Sequence, residues 1–538
     1  MFREIPKEVL KYLKLSEGLA YLHRMKLDPD SRGVIRRALE NRVPNFLELA
    51  GKVLGVPQHP YAQLFAVAGC TYADLESGIK KNGLDSTLDM LLREGVYLTL
   101  DEFRCKTKIV RGGRHIPASM KDWDNARGSG PLKAFSSGTS GGKRVETSHS
   151  LENARFGLAG SRVMLDEFNR STGAAIALGS ILPSAMGLGT CISSSRLGHP
   201  IERWFALGGS NRENWHYKAL TRAIVTRLRL GGAKIPYPTY LEGDDFSPVA
   251  EFIARRKKEG AEVGMSGMVS SVARVAGAAI DRGLDIRGSW ALVTGESLTD
   301  VKRKLIEASG IDVFPVYATS DFGGIGVPCR QMTSGDCVHI AEASIALTSR
   351  PVDFWGDGET VQSLHVTAVV PFAPRVLINV EIGDTGVMEP SHCDCEFSRL
   401  GYTRQVRNIA AFSKISAQGS TLYAPELVRL LEESLPQKFG GRPGDFQLLE
   451  VEGKAQTETV LRIHPRLNVG PEEVLNHFLM ECRKTYGGSL AARQWSSSNS
   501  LRVEVKEPIL AESGKFRAIR LLGSGTNPAS AIAKASGS

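Results

Sequence analysis

Ser136, Ser137, Gly138, Thr139, Ser140, Gly141, Gly142 and Lys143 form an unbroken run of small and hydroxylated residues closed by one lysine. That composition suits a phosphate. Glycines leave backbone N–H groups open to an anion, the hydroxyls donate further hydrogen bonds, and the lysine adds a point charge. The run is not a Walker A loop, which needs four residues between its glycine and the Gly-Lys pair, followed by Ser or Thr. Here three intervene and Arg144 follows. A Gly/Ser linker is the competing reading, weakened because the run lies between structured-looking stretches and not between domains.

A second chemistry lies in Cys329, Cys337, His339, His392, Cys393 and Cys395, gathered in two places roughly fifty positions apart. Cys-x-Cys with a further cysteine and a histidine is a tetrahedral zinc set; the alternative is a group of free buried thiols. Three shorter segments could complete a nucleotide site or could be mere turns. Thr294-Gly295-Glu296-Ser297-Leu298 reads equally as a strand-to-helix turn capped near Ser297 or Thr299. Tyr317-Ala318-Thr319-Ser320-Asp321 follows an apolar strand pattern, and Gly383-Asp384-Thr385-Gly386 comes 63 positions after Asp321.

These residues must be held by elements. From about 130 to 385, apolar runs alternate with helical patterns, which predicts an α/β sheet protein with ligands at the ends of its strands. Ala291–Thr294 reads as a strand, Leu298–Ala308 as a helix and Ile311–Tyr317 as the next strand. Residues 1–95 read as a helical lead-in, with amphipathic stretches at Glu8–Leu19, Gly33–Leu39 and Thr87–Glu94. From 409 a smaller α+β unit begins: a helix at Pro425–Leu435, strands at Phe446–Glu452 and Thr457–His464, a helix at Pro471–Tyr486 and a strand at Leu501–Val505. Residues 523–538 are Gly/Ala/Ser-rich without periodicity and read as a disordered tail. The expected division is a large domain over 1–408 and a small one over 409–522.

The chain has 538 residues, 42% of them hydrophobic, with 23% charged and a mean hydropathy of −0.14. It can bury large cores and should split into at least two domains. The net charge of +9 is spread thinly, and no basic stripe interleaved with aromatics suggests nucleic acid. Met1–Leu19 carries charges throughout, unlike a secretory signal. The long uncharged stretch Ser171–Ser195 contains Pro183 and several glycines and serines, so it reads as buried strand and loop, not as a membrane span. Eight cysteines make no disulfide scaffold, and a reducing cytoplasm is expected.

Taken together, the motifs resemble those of the adenylate-forming enzymes, the superfamily of acyl-CoA synthetases, luciferases and peptide-synthetase adenylation domains, and within it the phenylacetate-CoA ligase branch. The segment Gly95–Phe103 resembles the approach to that branch's phosphate loop, and the likeness runs from roughly 95 to 522. The resemblance implies that Ser136–Lys143 grips the β- and γ-phosphates of ATP and that Gly295 and Glu296 pack beside adenine. Tyr317 would cover the base, Thr319 would reach the α-phosphate, and Asp321 would hold magnesium, with Asp321 standing for the usual Glu and Ala318 for a glycine. Asp384 would accept both ribose hydroxyls. Glu512–Arg517 resembles the C-terminal lysine segment, and Lys515 would neutralise charge as a carboxylate attacks the α-phosphate. The hinge departs from the family, because Arg404–Ala411 keeps arginines but lacks the two usual acids; Arg407 is the candidate ribose or phosphate contact there.

The same branch carries a structural metal on a Cys, His, Cys-x-Cys set. The resemblance assigns it to Cys329, His339, Cys393 and Cys395, with Cys337 and His392 as alternates. The implied activity is ATP-dependent activation of a carboxylic acid, with aromatic acids among the candidates, as an acyl-adenylate, then thioester formation with coenzyme A. A carrier protein, an enzyme cysteine or a nitrogen nucleophile is the alternative acceptor, and a nucleotide-binding protein without turnover is a further alternative. The acid pocket is expected between Leu182–Gly189 and a loop at Gly264–Met268.

Overall fold

In the computed structural model, the described residues are 5–130, 132–135, 146–168, 173–182, 184–206, 215–242, 245–319, 321–332, 335–353, 360–411, 414–417, 420–441, 444–452, 457–485, 491–492, 495–496, 500–509 and 518–522. The phosphate-loop run, Ser320, Lys515 and the tail lie outside them.

The expected lead-in is helical: Ile5–Arg24, Ser31–Glu40, Arg42–Leu54, Pro60–Val67, Tyr72–Asn82 and Leu84–Arg93. Local chemistry fixes several starts. Asp30 accepts from the Gly33 N–H, and Thr71 and Asp74 form a reciprocal capping box.

Six parallel strands follow: Ala174–Leu178, Arg203–Ala206, Pro238–Tyr240, Val263–Met268, Ser289–Thr294 and Ile311–Pro315. Numbered in that order they lie as 3-2-1-4-5-6, a doubly wound sheet. One face packs on the helices Ser247–Lys258 and Val269–Asp281. The other packs on Met186–Arg196 and Trp215–Leu230, joined by Tyr12, Leu15 and Leu19 of the first helix. The winding reverses between Ala174–Leu178 and Val263–Met268, so a crevice is expected beyond their carboxyl ends.

A seven-stranded antiparallel sheet runs Tyr317–Thr319, Gly323–Val327, Val338–Ile340, Arg404–Ala411, Val380–Pro390, Val361–Ala368, Ile345–Val352 in space. Its core joins the helices from Ser31 onward, with Phe46, Leu88, Trp123, Val366 and Val406 fully buried. A four-stranded sheet, Leu501–Val505, Thr457–Ile463, Phe446–Glu452 and Ile519–Leu522, carries its own core of Leu431, Phe446, Leu448, Phe478 and Trp495.

Four sequence expectations need correction. The strand expected at Ile311–Tyr317 stops at Pro315; Val316 gives one last bond to the Val293 carbonyl at 2.7 Å, and Tyr317 already belongs to the second sheet. The helix expected at Pro425–Leu435 is Ala424–Arg429, a wider turn at Leu430–Ser434, then Leu435–Phe439. Pro436, lacking an N–H and needing room for its ring, accounts for that bulge. The uncharged stretch from 171 contains the strand Ala174–Leu178, but its far end is the helix Met186–Arg196 and not a loop. The segment Gly264–Met268 is a buried strand. Among the described residues no helix is long and apolar enough to cross a membrane.

Candidate functional site

Among the described motif segments, those of Tyr317 and Asp384 meet at the start of the antiparallel sheet. Tyr317 begins the antiparallel sheet two residues after the last parallel strand, and its hydroxyl donates to Asp384 Oδ2 at 2.8 Å. Asp384 is itself buried on the strand Val380–Pro390. Burial, and then the Asp384 carboxylate, push the Tyr317 phenol well above its ordinary range, so it stays a neutral donor. An aromatic ring and a carboxylate 67 positions apart in sequence thus form one unit.

Gly295 leaves the strand Ser289–Thr294 with φ of 83°, a conformation that favours glycine. This turn aims Glu296 at the helix Val269–Asp281. Its two carboxylate oxygens accept the Ser270 N–H and hydroxyl, both at 2.9 Å, which caps the helix that follows the reversal-point strand. Ser297 donates to the Ile409 carbonyl at 2.9 Å, and Thr299 caps the helix Asp300–Ala308. Glu296 therefore acts first as a structural clamp between two strand ends.

Thr319 accepts the Phe322 N–H at 3.2 Å, leaving its own hydroxyl proton to give. Asp321 is engaged by a residue that sequence reasoning passed over. Arg104 Nη2 donates to Asp321 Oδ2 at 2.6 Å, with only 13% and 7% of the two side chains exposed. Phe103 stacks toward Phe322 with centroids 5.4 Å apart and toward Trp123 at 6.0 Å. A cleft of about 450 Å³ is lined by Asp101, Lys106, Glu426, Arg429 and Lys484, and Lys106 reaches Glu426 at 3.1 Å.

Arg407 stands on the strand Arg404–Ala411. Its guanidinium pairs with Glu389 Oε1 at 2.9 Å on the neighbouring strand. The adjoining Asn408 adopts a left-handed φ of 54°, and Asp336 accepts its N–H at 2.7 Å and that of Ile409 at 2.5 Å. Asp336 thus holds the backbone of the Arg404–Ala411 strand from another segment. Burial pushes the Asp336 carboxyl upward, against the two N–H bonds that favour its charge.

Cys329, His339, Cys393 and Cys395 place all four ligand atoms within 4.8 Å of one another. Cys329 Sγ is 3.8 Å and Cys395 Sγ 3.5 Å from Cys393 Sγ, while His339 Nε2 lies 3.1 and 3.2 Å from Cys395 and Cys393. Zinc–sulfur bonds of about 2.3 Å in a tetrahedron separate sulfurs by about 3.8 Å, so this donor set fits a closed zinc site. Hydrogen bonds from Cys329 and His339, working against burial, hold the Cys395 thiol well below its ordinary range. Cys337 and His392 are not in the group.

Two glycines of the segments expected to line an acid pocket face tryptophans. A Cβ on Gly187 would meet the Trp204 ring at 2.3 Å, and one on Gly264 the Trp290 ring at 2.2 Å. These positions are small so that the sheet can bury its own indoles.

Of the residues that sequence reasoning missed, Ser270, Asp336 and Arg104 matter most. Only Arg104 had a signal, lying one position past the quoted Gly95–Phe103 segment.

A scan against protein-family models and a search of curated proteins find no match. Solved structures do match. A 2-hydroxyisobutyryl-CoA ligase in the postadenylation state, in complex with R3-HIB-AMP, is 13% identical, with 96% of this chain and 97% of that chain covered and a TM-score of 0.41. The Vibrio cholerae adenylation domain AlmE, in complex with glycyl-adenosine-5'-phosphate, is 11% identical over 92% and 97%, at 0.37. The Bacillus subtilis O-succinylbenzoate coenzyme A synthetase, in complex with ATP and magnesium ion, is 12% identical over 81% and 77%, at 0.30. Likenesses this distant carry no weight on function, which must come from the residues.

Proposed function

We propose that the chain uses ATP to activate a carboxylic acid as an acyl-adenylate, releasing pyrophosphate, and then forms a thioester with coenzyme A, in the manner of the phenylacetate-CoA ligase branch. The observation that carries this reading is the 2.8 Å bond between Tyr317 and Asp384, which joins two separate motifs into a ring and carboxylate suited to a nucleoside. A carboxylate is a poor electrophile, and the AMP ester gives it a good leaving group. Ser136–Lys143 would hold the β- and γ-phosphates. Asp384 would take the ribose, Thr319 would reach the α-phosphate, and Lys515, brought by the small domain over 409–522, would meet the charge developing there. Magnesium, held by Asp321, would supply charge neutralisation on the phosphates. The Cys329, His339, Cys393 and Cys395 set would hold zinc as a structural brace, since four protein ligands leave no open position.

The test is incubation with ATP, magnesium and a panel of aromatic and short apolar acids, with and without coenzyme A, followed by mass spectrometry. Acyl-CoA is the expected product. Acyl-adenylate that never becomes a thioester would move the acceptor to a carrier protein, a cysteine or a nitrogen nucleophile.

A further inference from the structure

Asp321 is the carboxylate assigned above to magnesium, yet its Oδ2 accepts from the Arg104 guanidinium at 2.6 Å. This is no loose surface contact. Both side chains are largely buried, and each stands on a braced frame. Arg104 ends the short helix Leu100–Phe103, which Thr99 and Glu102 cap reciprocally. Glu102 is in turn held by Arg111 at 2.7 Å, and the Trp123 ring N–H donates to the Phe103 carbonyl at 2.8 Å. On the other side, the Thr319 hydroxyl ties the turn that carries Asp321, and Phe322 packs on Phe103. The guanidinium is therefore presented to the carboxylate, and does not wander onto it.

A guanidinium and a divalent cation crowded on one carboxylate repel each other and compete for its charge. We propose that Arg104 and the divalent metal are alternative partners of Asp321, so that Arg104 is a positioning residue which sets the metal affinity of the site. It keeps the carboxylate oriented, and it holds metal affinity low until a nucleotide adds its own phosphate ligands. The proposal rests on the nucleotide reading of Asp321, and it makes an unusual demand: removing a cation contact should tighten a ligand.

Manganese binding to the nucleotide-free protein, measured by calorimetry, tests it. Arg104→Gln should bind the ion about tenfold more tightly than the wild type, the equivalent of one charged contact released. Arg104→Lys, which keeps a cation but loses the directed fork, should fall between them. Asp321→Asn should lose the gain in either background. Unchanged or weaker manganese binding in both Arg104 variants, with ATP binding intact, would overturn the proposal and leave the nucleotide site standing. Failure of the wild type to bind ATP with any metal would instead overturn the nucleotide reading, and this inference with it.

Discussion

Tyr317 and Asp384 are the residues on which the proposed nucleotide recognition turns. Because the phenol is pushed upward by burial and by its partner, the bond should persist across the neutral and mildly alkaline range. Asp384→Asn keeps the shape but weakens acceptance of ribose hydroxyls. The expected effect is a rise of about tenfold in KM for ATP, the worth of one charge-assisted hydrogen bond, with the thermal midpoint little changed. Unaltered KM would remove Asp384 from the ribose role. For Lys515→Ala, steady-state kinetics should show a large loss of adenylation with ATP binding retained. Motif residues of this kind are legible in sequence because chemistry constrains both type and spacing. Their partners are not. Arg104 lies 217 positions from Asp321 and Asp336 lies 72 from Asn408, and no local pattern announces either contact.

At the scale of elements, the Cys/His cluster and one ion-pair node hold the antiparallel sheet to its surroundings. Cys329 follows one strand, His339 sits within another, and Cys393 and Cys395 lead into the helix Glu396–Leu400, which Cys395 caps. Elemental analysis should find one zinc per chain, and Cys395→Ser should lose it and lower the thermal midpoint; a full zinc content in that variant would exclude the assigned set. Asp85, on the helix Leu84–Arg93, receives Arg42 at 2.5 Å and Arg404 at 2.6 Å, linking three elements. Burial raises its pKa, but the two guanidiniums outweigh it and the net shift is downward. The stabilisation is therefore complete above the ordinary aspartate pKa of about 4 and lost as pH falls through the lower folded value. Asp85→Asn should cost about 2 kcal/mol at neutral pH, with the difference from wild type shrinking in acid; urea melts at several pH values would show it. Strands such as Phe446–Glu452 and Leu501–Val505 were legible to the residue, since alternation and flanking turns mark them. The break at Pro315 and the bulge before Pro436 were not, because periodicity averages over a single proline. Gly264–Met268 misled for another reason: Gly264 answers to Trp290 and Gly267 to Leu178 on the neighbouring strands, which sequence does not reveal.

At the scale of the whole molecule, the three large sheets among the described residues divide the work. The doubly wound sheet supplies strand ends, the antiparallel sheet supplies Tyr317 and Asp384, and the four-stranded unit stands on its own core. The strand Arg404–Ala411 runs through the proposed boundary at 408, where Asp336 and Ser297 hold the backbone of residues 408 and 409. The lead-in, which carries no catalytic pattern, has a structural task, since Tyr12, Leu15 and Leu19 close one face of the parallel sheet. Deleting residues 1–24 should yield insoluble protein, and a soluble, cooperatively melting truncation would contradict that role. The central claim is adenylation, and acid-dependent pyrophosphate release from ATP tests it most directly. Release that appears only with one group of carboxylic acids, and vanishes without magnesium, is the expected result. ATP binding with no release for any acid would contradict it and leave a nucleotide-binding protein in place of an enzyme.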